Sequence, residues 1–164
     1  MTSTAKANVN RVSDFLPVNA VPDMIRNVLT MAATWNKWNG QPVETDGRIM
    51  TPNKAIRRVV DHTIDHLAEA QARINNHDPL IDNWDHSAKT TPADLAPFTI
   101  DDLNEATERL NRLAQLWTIT YEHLDDQTLD NQTLDAKHPE AMTLRGIANH
   151  AAESIAYAEA IGHL

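Results

Sequence analysis

Apolar residues recur at steps of three and four in four separate stretches, and no run alternates with the two-residue period of a strand. A chain patterned this way can bury its apolar stripes only by packing helices against one another. Pro22 is compatible with a first helical turn and opens the first stretch. Ile25, Val28, Leu29, Ala32 and Trp35 follow, with Gly40 as its stop. The second opens at Thr51-Pro52, an N-cap followed by a proline at the first helical position. Ile56, Val59, Thr63, Leu67, Ala70 and Ile74 share one of its faces. The third opens at "TIDD", where Thr99 can cap and Asp102 stands three residues on. Its stripe runs through Leu103, Leu110, Leu113, Trp117, Tyr121 and Leu124. The fourth is expected from Thr143 to Ile161, with Leu144, Ile147, Ala151, Ile155 and Ala158 inward and Gly162 behind it. The economical solution is an all-α four-helix bundle.

Helices 2 and 3 are separated by residues 76–98, whereas antiparallel neighbours need only about 2–8 residues between them. Two readings stand here. One is a crossover that runs the length of a bundle, packed through Leu80, Ile81, Trp84, Leu95 and Phe98; the other is a decorated surface loop. The connection before helix 4 contains "DQTLDNQTLD", read as a polar loop. Residues 1–18 are expected to form an N-terminal extension, docked loosely or through Phe15 and Leu16, with residues 19–164 as one domain.

With a formal net charge of −9, the chain lacks the basic face that duplex binding requires, and nucleic acid and anionic membranes are excluded as expected partners. The only dense basic pair is Arg57–Arg58. No apolar run reaches the roughly 18–20 residues of a membrane span. The opening residues lack the apolar stretch of a secretory signal, and there is no cysteine, so a cytoplasmic location is expected and thiolate metal sites are excluded. No phosphate loop, nucleotide fingerprint, HExxH or nucleophile elbow is present.

The chemistry-bearing feature is "RRVVDHTIDHLAEA", which places His62 and His66 on adjacent turns of helix 2. Metal ligands, a proton relay and the polar edge of a core all fit such a pair. Residues 56–72, set beneath residues 144–160, match Arg57 with Arg145 and His62 with His150, and Asp65 falls opposite Glu153. At about 100° per residue, His62 and His150 fall at the same margin of their helices, with His66 inside it. If the two edges converge, three imidazoles, the Ser154 hydroxyl and Tyr157 meet in one cleft. Asp65 and Glu153 are expected in solvent, with orienting an imidazole as the alternative, and His77, His86, His123, His138 and His163 are expected on the surface.

The order and spacing of three motifs resemble the DinB/YfiT-like superfamily of metalloenzymes. They are "TPNKAIRRVVDHTIDH", the crossover ending "ADLAPFTIDDLNEATERLNRL", and "MTLRGIANHAAESIAYAEAIG", and the likeness covers roughly residues 20–162. The resemblance implies a four-helix bundle of up-down-down-up topology with a long crossover between helices 2 and 3. It also implies a divalent metal, zinc or nickel, held by one histidine of helix 2 and two of helix 4. His62 and His150 match two of these positions, and Ser154 stands where the third is expected. His66 is the candidate replacement, giving His62, His66 and His150 as the metal set, and a histidine at position 154 would be expected to raise affinity. The implied function is a metal-dependent enzyme acting on a small molecule, as a thiol S-transferase or isomerase using a low-molecular-weight thiol, and assembled as a homodimer. The competing expectation is a non-catalytic bundle that has lost its metal and serves as a small-ligand-binding or stress-response protein.

Overall fold

The computed structural model describes residues 16–80, 85–131 and 142–164. The expectations placed on Phe15, Ile81 and Trp84 lie outside the described residues. The chain is mostly helical: α1 (Pro17–Ala32), α2 (Pro52–Ile74), α3 (Asp85–Ala88), α4 (Ile100–Tyr121), α5 (Asp126–Asp130), α6 (Leu144–Ala152) and α7 (Ile155–Glu159), with a short hairpin of β1 (Val43–Thr45) and β2 (Arg48–Met50). α1 and α2 each pack against α4, α6 and α7. The core between them includes Val21, Ile25, Val28, Val59, Leu110, Trp117 and Ile147.

Two expected helix starts are made by the predicted chemistry. The Thr51 side chain accepts from the Lys54 N–H, and Pro52 follows it. Thr99 and Asp102 form a reciprocal capping box at the start of α4. α1 differs at both ends. It begins at Pro17 and carries Pro22 inside, because Val21 and Met24 extend the apolar stripe toward the N-terminus and are buried. It ends at Ala32, well before Gly40, where the chain turns to bury Trp35 completely. The Trp35 indole donates to the Gly162 carbonyl at 2.7 Å and meets Phe98 edge-on, which fixes the C-terminal turn against α1.

The β-hairpin was not expected from the sequence. Asp46 and Gly47 both have positive φ, 52° and 71°, the requirement of a two-residue turn of the type that joins twisted strands. The paired strands are only three residues long, too short for their alternation to register. Between α2 and α4, Phe98 is buried as expected, but Leu80 and Leu95 are exposed. Of the polar "QTLD" loop, Asp126–Asp130 forms a helical turn that buries Leu129.

Polar contacts hold residues 87–94 to α2. Arg57 makes a two-point contact with Asp94, at 3.0 and 2.7 Å, and donates to the carbonyls of Ser87 and Lys89 at 2.9 Å. Asp94 also accepts from the Thr91 N–H at 2.7 Å. Burial disfavours the Asp94 charge, but the Arg57 and Thr91 hydrogen bonds outweigh it and hold its pKa below the ordinary value. Thr51 donates to the Asp94 carbonyl, and Lys54 donates to Thr90 at 3.0 Å. The basic pair that stood out in the sequence therefore has an internal role. Arg57→Ala leaves a buried carboxylate without its cation and should cost about 3 kcal/mol. Arg57→Lys should recover only part of that, because an ammonium cannot make the two-point contact. Urea unfolding of both variants checks this; a loss below about 1 kcal/mol in Arg57→Ala would show that the anchor is dispensable.

Candidate metal centre

Every residue of the cluster lies on a helix that the core fixes. On α2, Val59, Thr63 and Ala70 are completely buried, which turns His66 inward and leaves His62 at the stripe's margin. On α6, the fully buried Ile147 and Ala151 set His150 in the equivalent place. α2 packs on α6, so the two edges converge. Ring centroids are 4.5 Å apart for His62 and His66, 5.0 Å for His62 and His150, and 4.8 Å for His66 and His150. One nitrogen from each lies within 4.8 Å of the other two, close enough for the three to bind a metal ion. Tetrahedral zinc would draw these nitrogens to roughly 3.5 Å from one another.

Carboxylates orient two of the rings. Nδ1 of His66 lies 3.0 Å from Glu69 Oε2, and Nδ1 of His150 lies 2.9 Å from Glu153 Oε2. An ionised carboxylate only accepts, so Nδ1 carries a proton in both rings, and in the neutral form of each ring Nε2 is left with its lone pair. In His66 that Nε2 is buried and has no hydrogen-bond partner among the described residues. Glu69 is held in turn by Arg73 at 2.7 Å. Burial disfavours the Glu69 charge, but the hydrogen bond from His66 and the Arg73 guanidinium prevail and lower its pKa. This donor set suits a borderline metal, with imidazole ligands and carboxylates fixing their tautomers.

Glu69 escaped the sequence reading, whereas Glu153 is exposed as expected and also touches an imidazole. A readable signal existed. "HLAE" at 66–69 and "HAAE" at 150–153 share a histidine followed three residues later by glutamate. That alignment pairs His150 with His66, whereas the comparison of the two helices paired it with His62.

Ser154 does not join the cleft. It is buried at the break between α6 and α7. Its hydroxyl donates to the Ala151 carbonyl at 2.7 Å and lies 3.9 Å from the Met24 sulfur. That back-bond occupies the carbonyl that a continuing helix would use, and the chain tightens to three-residue steps at Glu153 and Ser154. The expected continuous helix 143–161 is therefore two segments. Position 154 is thus a buried one beside the Met24 sulfur. Tyr157 does reach the cluster, its ring centroid 6.3 Å from that of His62. His77, His123 and His163 are exposed, and the expectations for His86 and His138 rest on side chains outside those described.

No family model, no curated protein and no solved structure matches the chain.

Burial, and then the neighbouring imidazoles, push the His62 pKa down to about 4. In the unfolded chain the ordinary value near 6.5 applies. Between these values the unfolded chain binds a proton that the folded chain refuses. The His62 contribution to stability is thus full above about pH 6.5 and is lost as pH falls toward about 4. The urea midpoint of metal-free protein should fall across this window, and His62→Gln should flatten the fall. Parallel pH profiles for the two proteins would contradict the assignment.

Proposed function

We propose that this chain is a DinB/YfiT-like protein that holds a divalent metal, zinc or nickel, on His62, His66 and His150, and acts as a metal-dependent enzyme on a small molecule. The observation that carries this reading is the His66 Nε2 atom, buried without a partner beside two other imidazoles. A polar helix edge has no reason to leave such an acceptor buried, at a cost of about 1–3 kcal/mol. A metal ligand has every reason to. The carboxylates at Nδ1 of His66 and His150 support the same reading, because they aim the opposite nitrogen.

In this reading His66 takes the role that the resemblance assigns to position 154. Packing of α1 and α2 on both α4 and α6 supports a four-helix bundle, and the anchoring of residues 87–94 on α2 supports a long crossover and the up-down-down-up order. A bound divalent ion would supply a Lewis acid that lowers the pKa of a low-molecular-weight thiol, the chemistry of S-transfer or isomerisation that the resemblance suggests. The residues of this chain orient the ligand nitrogens, keep His62 neutral in mild acid and leave the cluster reachable through His150, whose side chain is 39% exposed.

Titration calorimetry with Zn²⁺ and Ni²⁺ on untagged protein tests the proposal. One equivalent should bind. His66→Ala and His150→Ala should abolish binding, and Glu69→Gln should weaken it about 10–100-fold. Ser154→His should lower stability and leave affinity no higher, since it overpacks a closed site. Equal affinities in wild type and His66→Ala would sink the metal reading.

A further inference from the structure

Arg58 lies one turn before His62 on α2 and is nearly buried, at 9% exposure. One end of its guanidinium donates to the Ser87 hydroxyl, and the other donates to the Tyr157 hydroxyl at 2.8 Å. Its central carbon lies 4.8 Å from the centroid of the Tyr157 ring, whose own neighbour is His62. Both hydrogen-bonding partners are neutral, and Arg58 forms no ion pair among the described residues. Its neighbour Arg57 is different, being engaged with Asp94 at 2.7 Å and lying 3.7 Å from Asp61. A nearly buried cation without an anion is costly unless something else supplies the charge.

Asp61, three residues on, interacts electrostatically with Arg58 but is shared with Arg57, 3.7 Å away, and the other charges near the cluster are engaged elsewhere. Glu69 is matched by Arg73 at 2.7 Å, and Glu153 is 73% exposed and turned to His150. Tyr157 accepts the Arg58 N–H, so its own hydroxyl proton remains to be donated. Cation and donor therefore stand together at the edge of three imidazoles. A divalent ion on those imidazoles would add two further positive charges, and the local excess then favours an anion strongly.

We propose that Arg58 and Tyr157 form an anion subsite beside the three imidazoles, which receives the negatively charged group, a carboxylate or thiolate, of the small molecule that the metal centre binds. Arg58 provides the charge and Tyr157 a hydrogen bond. The open side of a three-imidazole site provides the third contact. The inference rests on the metal reading above and adds the charge class of the ligand.

The test uses the full chain loaded with Co²⁺, whose visible spectrum reports the ligands around the ion, and azide as the probe anion. Metal affinity is measured separately by calorimetry. Azide should perturb the wild-type spectrum saturably. In Arg58→Gln the azide Kd should rise about tenfold or more, and in Tyr157→Phe by roughly threefold to tenfold. Co²⁺ affinity should stay within about threefold of wild type in both, because neither residue is a ligand. Should Arg58→Gln fail to fold, Tyr157→Phe, which loses only the hydroxyl, decides alone. Unchanged azide affinity in the variants, or no azide response in loaded wild type, overturns the subsite while leaving the metal centre standing. Failure of wild type to bind Co²⁺ overturns the metal reading and the subsite with it.

Discussion

The rest of the structure is arranged around three imidazoles that meet with ring centroids 4.5–5.0 Å apart. Protons on two of them would set like charges against each other where water is scarce. The packing of α2 against α6 depends on avoiding this. His62 avoids it through its low pKa. For His66 and His150, the carboxylates at Nδ1 fix which nitrogen carries the proton. The cost of the arrangement is concentrated at one atom, the His66 Nε2, which the fold buries without a partner. Fixed tautomers and an unused lone pair are conditions of a ready ligand, so the solution to a packing problem also brings three imidazoles close enough to bind a metal ion.

α2 carries most of this design along its length. Its first turns bind Thr90 and Asp94 through Thr51, Lys54 and Arg57, its middle presents Arg58, His62 and His66, and its last turns supply Glu69 and Arg73. α6 follows the same plan in miniature. Arg145 in its first turn pairs with Asp126 and Asp130 of α5 at 2.9 and 2.7 Å, and His150 and Glu153 follow. Each helix ties down a neighbouring connection with an arginine and then offers an imidazole backed by glutamate.

The helical class, the Thr51-Pro52 start and the Thr99/Asp102 box were legible because they rest on local chemistry that needs no partner. So was the convergence of the histidine edges, which follows from helical angle once two helices pack. What escaped the sequence depended on contacts made at a distance. Arg57 looks like surface charge until Asp94 arrives from 37 residues away. The hairpin turned on two positive φ angles at Asp46 and Gly47. The break after Ala152 has no proline or glycine to announce it, and it arises from a serine hydroxyl competing for a carbonyl. Glu69 was overlooked because the helices were compared through His62 and His150, a register that captures the arginines and misses the shared histidine–glutamate step.

The central claim is that His66 and His150 present Nε2, with the proton on Nδ1, to a common ion. Long-range ¹H–¹⁵N correlation spectra of the imidazoles, recorded before and after one equivalent of Zn²⁺, test it most directly. The account predicts that both rings are in the Nδ1–H form beforehand, and that zinc shifts the Nε2 resonances of both while the Nδ1 protons persist. Nε2–H forms in the free protein, or imidazole resonances unmoved by zinc, would contradict it.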